Sequence, residues 1–256
     1  INSLMWMRNN TPDPGIDYYG TYKEPNPNGF YDYPKTAYGV MSWWDYGHII
    51  TYIAHRIPNA NPFQAGIIEQ NWTGAAPFLT AENETEGNRI LDFLGTRYVI
   101  SDAPMATGKF WAIGTFAKNG NIEECYQYYY MPIPTQGGGQ ILFPAQHYFN
   151  TTEIRLHLFD GDELGIISQF KEYKLDGNYL SRYRLIYESP SYGIIRAQKD
   201  PSGKYVVYLD GFGQFLFITD SSNVASAFNG KIINYIKIFE YVKGAKIRGE
   251  APSGET

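Results

Sequence analysis

Residues 42–50 read SWWDYGHII. Two of the chain's five tryptophans stand side by side there, directly before an acid. An indole N–H only donates a hydrogen bond, and a carboxylate only accepts. Trp43, Trp44 and Asp45 together would make a small polar socket with apolar walls. A hydroxyl suits such a socket, because it donates once and accepts up to twice. A methyl in its place leaves the socket's groups unpaired, at about 1–3 kcal/mol for each buried group. That is enough to separate Ser or Thr from Ala by one or two orders of magnitude. The same residues also read as plain core, with Asp45 capping a following helix, and residue chemistry alone favours this packing reading.

Outward from this stretch the chain alternates helix and strand signals. A helix is expected to start within it, with Ile49, Ile50 and Ile53 on one face, and to end before Pro58. Upstream, Leu4, Met5 and Met7 mark a short helix that TPDPG (11–15) stops. Residues 23–34 and 56–63 read as loops. Downstream, Thr80 to Leu94 reads as a helix, with Thr80 as its cap and Gly95 just past its end. RYVIS (97–101) is β-branched and aromatic, a strand. Residues 118–150 read as loop-rich and aromatic, with a glycine run at 137–139. TTEIRLHLFDG (151–161) reads as a helix with a Thr cap, and YRLIYES (183–189) as a strand. From Ser191 the pattern changes to short β-rich runs, YGIIRA, KYVVYLD, QFLFITD and IINYIKIFEYV, separated by turn residues.

The fold class expected is α+β: a mainly helical core with a short mixed sheet, plus a β-rich subdomain near the C-terminus. Residues 1–190 would form the core, 191–235 a β-rich insertion, and 236–256 a strand returning to the core with a C-terminal tail.

A second motif follows the RYVIS strand. DAPMATGKFWAI (102–113) places Asp102, Met105, Lys109 and Ile113 at helical spacings on one narrow stripe. Asp102 is a natural N-cap, and Pro104 is tolerated in the first turn. A lysine within a Met/Ile stripe is unusual for core packing, although its stem can snorkel. Gly108 weakens a helix by about 1 kcal/mol relative to Ala and permits a kink.

Composition limits the alternatives. The 256 residues are 43% hydrophobic, 17% aromatic and 18% charged, with a net charge of −5. No basic stripe supports nucleic-acid binding. Cys125 is the single cysteine, so no disulfide or zinc cluster forms within the chain. No apolar run reaches the roughly 18 residues of a membrane span. The chain opens on Ile1 rather than Met, which reads as a fragment of a longer protein. FDGDE (159–163) is acidic but reads as a solvated turn. The four histidines, at 48, 55, 147 and 157, lack metal-ligand spacing. Sequons occur at Asn9, Asn71, Asn83 and Asn150.

SWWDYG (42–47) resembles the signature of the catalytic subunit of oligosaccharyltransferase, the membrane enzyme of N-glycosylation. The flanks resemble its archaeal branch: residues 31–64, 88–102, 154–161, 185–189 and 237–249. The stripe D-x-x-M-x-x-x-K-x-x-x-I is similar to the variant kinked-helix motif that accompanies WWDYG there. The chain thus resembles the C-terminal, extracytoplasmic domain of such a subunit. The resemblance implies transfer of a glycan from a lipid-linked (dolichol phosphate or diphosphate) carrier to asparagine in an acceptor polypeptide. It implies that Trp43, Trp44 and Asp45 bind the hydroxyl of the sequon Ser or Thr, two residues past the asparagine. Lys109, Met105 and Ile113 would lie near the threonine methyl, with Tyr46, Gly47 and Asp102 in support. The family's divalent metal, Mn2+ or Mg2+, is held by a membrane domain. No catalytic or metal residue is therefore expected within this chain, which is expected to be monomeric and inactive alone. The alternatives are a cell-surface glycan-binding module and a soluble glycoside hydrolase; the residues single out no carboxylate pair for the latter.

Overall fold

The computed structural model describes residues 1–21, 23–27, 31–118, 121, 123, 125–131, 139–161, 180–210 and 214–242. In chain order the elements are α1 (Asn2–Asn10), β1 (Gly39–Met41), a 3-10 turn (Trp44–Tyr46), α2 (Gly47–Ile49), a π turn (Ile50–Ala54), β2 (Ile57–Pro58), α3 (Ala75–Thr80), α4 (Glu84–Phe93) and β3 (Thr96–Asp102). Then come α5 (Ala103–Ala106), α6 (Phe110–Ala117), β4 (Tyr126–Met131), β5 (Gly139–Pro144), α7 (Gln146–Asn150), α8 (Thr152–Phe159) and β6 (Tyr183–Glu188). The last are β7 (Tyr192–Lys199), β8 (Tyr205–Leu209), β9 (Gln214–Thr219), α9 (Ser222–Phe228), β10 (Ile232–Asn234) and β11 (Ile236–Tyr241).

A mixed five-stranded sheet, ordered β2-β1-β3-β11-β6, organises the molecule. β1 runs parallel to both β2 and β3, and β11 lies antiparallel between β3 and β6. Successive side chains of a strand point to opposite faces, and the burial follows that rule. Val40, Tyr98, Ile100 and Ile238 join one apolar cluster with Leu4 and Met7 of α1 and with Ile50 and Ala54. Met41, Val99 and Phe239 face the other, larger cluster, built by α3, α4, α5, α6 and α8. The sheet is therefore covered on both faces, which is why its strands read as near-continuous apolar runs rather than alternating ones. The α+β class is as expected.

A second sheet, antiparallel and ordered β10-β7-β8-β9, holds the late β-rich runs. It shares the larger core: Ile195, Val207 and Phe217 belong to the same cluster, and the Phe217 ring meets Phe149 edge-on at 5.6 Å.

Several local expectations are corrected. Thr80 ends α3, donating its hydroxyl to the Ala76 carbonyl at 2.8 Å, and does not start a helix. α4 starts instead at Asn83, whose side chain accepts the Glu86 N–H at 2.9 Å. Gly95 does sit past its end in the left-handed region, φ 62°. The helix after WWDYG is irregular. Its 3-10, α and π turns change the residues per turn, so Ile50 is buried while Ile49 is exposed. Residues 118–150 contain the β4–β5 hairpin and α7, not only loop. Thr151 precedes α8 without capping it through its side chain; its hydroxyl donates to the Tyr148 carbonyl at 2.7 Å. α9, capped by Ser221, had no counterpart in the sequence reading. Asp162, Glu163 and the tail from 243 lie outside the described residues.

Candidate functional site

The two sequence motifs meet because of strand order. β1 and β3 are parallel neighbours, with Met41 opposite Val99. Their carboxyl ends therefore release Ser42-Trp43-Trp44-Asp45 and Asp102-Ala103-Pro104-Met105 side by side. The crevice beyond the carboxyl ends of parallel strands is a general location for ligand sites.

Trp43 is in extended conformation and buried in the larger core, its ring against Trp44 at 6.3 Å and edge-on to Phe116 at 5.8 Å. The chain then tightens into the 3-10 turn, which leaves Trp44, Asp45 and Tyr46 half-buried. Gly47 is required by packing rather than by its backbone angles. A Cβ there would sit 2.3 Å from the Ala60 carbonyl oxygen.

The second motif is not one helix. Asp102 caps α5 by accepting the Met105 N–H at 2.7 Å. The helix breaks at Thr107, whose φ −123° and ψ −102° are not helical, and resumes as α6 after Lys109. The straight stripe of Asp102, Met105, Lys109 and Ile113 is thereby broken. Met105 and Ile113 are fully buried in the core, and the Met105 sulfur accepts from the Ser42 hydroxyl at 3.6 Å. Lys109 turns the other way. Its ammonium binds the Asp45 carboxylate through Oδ2 and donates to the Tyr46 hydroxyl at 2.8 Å.

The Tyr46 phenol in turn is coupled electrostatically to the Asp102 carboxyl. Burial, and then the charge of Asp102, push the Tyr46 phenol far above its ordinary range. Burial raises the Asp102 carboxyl as well, against the lowering effect of Tyr46 and the Met105 amide. The result is a path in which Tyr46, Lys109 and Asp45 are joined by hydrogen bonds and Asp102 is coupled to Tyr46 through charge.

Two polar atoms beside this path have no partner: Trp44 Nε1 and Asp45 Oδ1. One is an obligate donor and the other an acceptor, on consecutive residues. Both are covered from solvent, and each unpaired group carries a penalty of about 1–3 kcal/mol. A hydroxyl that met both atoms would pair the donor and the acceptor at once.

Buried Ser101 and Glu153 escaped the sequence reading as site residues, and His157 entered it only among the histidines without metal-ligand spacing. Ser101, Glu153 and His157 form a cluster behind Asp102, with Ser101 Oγ 2.6 Å from Glu153 Oε1 and 2.9 Å from His157 Nδ1. The available signal was the four-residue spacing of Glu153 and His157, which puts them on one helix face. His48 lies outside the path, against Phe63. Among the described residues no group of three His, Cys, Asp or Glu could hold a metal.

Residues 1–106 match the family described as the AglB core domain. The whole chain aligns with dolichyl-phosphooligosaccharide-protein glycotransferase 3 of Archaeoglobus fulgidus, at 34% identity over 292 positions and 33% of that relative's length. The AglB glycotransferase of Haloferax volcanii is 40% identical over 182 positions, 62% of this chain and 16% of the relative. Among solved structures, an Archaeoglobus fulgidus oligosaccharyltransferase tethered to an acceptor peptide with an NVT sequon superposes with TM-score 0.67 at 29% identity. That match covers 95% of this chain and 32% of the other. The chain spans about a third, or less, of the length of these relatives.

Proposed function

Because the chain belongs to the AglB family of archaeal oligosaccharyltransferases, we propose that it reads the acceptor sequence for such an enzyme. The sequon Ser or Thr hydroxyl donates to Asp45 Oδ1 and accepts from Trp44 Nε1. Trp43 walls the socket from the core side. Lys109, whose ammonium also donates to the Tyr46 hydroxyl, holds the other Asp45 oxygen, so that Oδ1 faces the acceptor. Met105 and Ile113, closed to solvent, form the apolar backing against which the socket is braced, and Gly47 and Asp102 fix the two turns. The observation that carries this reading is the unpartnered donor and acceptor on Trp44 and Asp45.

Holding the hydroxyl two residues from the asparagine uses binding energy remote from the reacting amide to fix its orientation. The chemistry belongs to the rest of the enzyme. A lipid-linked oligosaccharide gives up its glycan there, and a divalent metal, Mn2+ or Mg2+, is bound there by residues this chain does not supply. The fragment is then a monomeric, extracytoplasmic recognition domain, inactive alone, with residues 191–235 inserted into a core closed by β11.

The test is transfer by full-length enzyme in membranes, supplied with lipid-linked oligosaccharide and metal. Peptides with Thr or Ser two residues past asparagine are glycosylated, and the Ala peptide is not. Normal transfer by a folded Asp45→Ala variant would refute the reading.

A further inference from the structure

The buried cluster behind Asp102 has no role in the socket as described so far. Glu153 and His157 on α8 and Ser101 on β3 are each 0% exposed. Ser101 donates its one proton to Glu153 Oε1 at 2.6 Å, and so accepts from the Nδ1–H of His157 at 2.9 Å. Glu153 Oε2 and His157 Nε2 have no partner. Buried polar groups left partly unsatisfied are less stable than apolar residues of the same shape. Packing alone would put an apolar residue at 153, as at Ile154, Leu156 and Leu158 of the same helix.

The cluster meets the site at one place. Ser101, which Glu153 binds, directly precedes Asp102 on β3. The carboxyl of Asp102 accepts the Met105 N–H and is coupled electrostatically to the Tyr46 hydroxyl. From Tyr46 the path continues to Lys109 and Asp45. Glu153 thus holds the end of β3 through the Ser101 hydroxyl, one residue before Asp102, where the strand hands over to the second motif.

We propose that Glu153 is a positioning residue for the acceptor socket. It fixes the end of β3, which aims the Asp102 carboxyl at Tyr46 and thereby sets Lys109 and the free oxygen of Asp45. Glu153 touches no acceptor atom and acts through Asp102. The inference rests on the acceptor-reading function proposed above.

The experiment compares Glu153→Leu and Glu153→Gln with wild type in full-length enzyme, reading kcat and KM for a Thr-sequon peptide alongside the melting temperature. Glu153→Leu preserves volume and removes the grip. Its KM rises about fivefold while kcat stays within about twofold, and it melts at or above the wild-type temperature. Glu153→Gln keeps an oxygen for Ser101 and restores the wild-type KM. A wild-type KM in a folded Glu153→Leu overturns the proposal, as does a loss confined to melting temperature and kcat. Should the Leu variant not fold, Ser101→Ala removes the same link, and an unchanged KM there overturns it equally. The underlying function fails differently: wild type would then glycosylate Ala and Thr peptides alike.

Discussion

Lys109 binds Asp45 across 64 positions of sequence, because the two residues follow parallel neighbouring strands out of the same end of the sheet. Both side chains are about one-third exposed, 35% and 30%. The pair is therefore screened and adds less than about 1 kcal/mol to stability. Its value is orientation. Lys109→Met is expected to leave the melting temperature nearly unchanged while lowering kcat/KM for a Thr acceptor about tenfold, measured in the full-length enzyme.

Gly47 closes the WWDYG turn against Ala60 and Asn61 backbone atoms. A methyl there forces those backbones apart, an overpacking penalty of about 1–3 kcal/mol. Gly47→Ala should lower the melting temperature by several degrees, at roughly 2–4 °C per kcal/mol for a chain of this size. It should also weaken acceptor use, since the displaced turn carries Trp44 and Asp45.

Met105 and Ile113 are fully buried. Ile113→Ala should destabilise by about 2–5 kcal/mol, as core truncations do. On the proposed reading they back the socket without contacting the acceptor, so neither should set the Thr-over-Ser preference, which one methyl makes worth about 0.8 kcal/mol. The ratio of Thr to Ser transfer in Ile113→Val checks this, with a wild-type ratio expected.

The cluster behind the site should appear in the pH dependence of stability. Burial, aided by the Lys237 charge, holds His157 down at about 3, against 6.5 when exposed. Its folded value is the lower one, so the unfolded chain takes up the extra proton. The contribution is present above 6.5 and is lost as pH falls toward 3, at about 1.4 kcal/mol per pH unit. The melting-temperature difference between wild type and His157→Phe should shift against wild type between pH 6.5 and 4. Glu153 has the opposite sign. Burial raises its carboxyl well above 4.5, so its contribution is present below 4.5 and is lost as pH rises from there. Relative to Glu153→Gln, wild type should weaken as pH rises above 4.5.

Much of the frame was legible because it rests on local chemistry. The apolar runs of β3 and β11, the Asp102 cap and Gly95 after α4 each follow from a few adjacent residues. What escaped depends on long-range packing. Thr80 looks like a cap, but α3 places it inside a helix whose carbonyl takes its hydroxyl. The stripe from Asp102 to Ile113 assumed unbroken helix, and the break at Thr107 sends Lys109 away from Met105 and Ile113. Ser101 and Glu153 are 52 positions apart, and only the docking of α8 on β3 joins them. WWDYG offered a donor–acceptor set beside a packing reading; Trp43 packs in the core, and the Trp44 donor and the Asp45 Oδ1 acceptor are left unpaired. Which oxygen of Asp45 is held by Lys109 was not legible, since that depends on strand order.

The most direct measurement is the ratio of kcat/KM for a Thr-sequon peptide to that for its 2-aminobutyrate counterpart, which keeps the shape and lacks the hydroxyl. It is taken in full-length wild type and Asp45→Ala. A socket that pairs the hydroxyl between Trp44 and Asp45 gives a wild-type ratio of about ten or more, collapsing toward one in Asp45→Ala. An Asp45→Ala enzyme that loses rate on both peptides equally, keeping the ratio, would contradict the account and place hydroxyl recognition elsewhere.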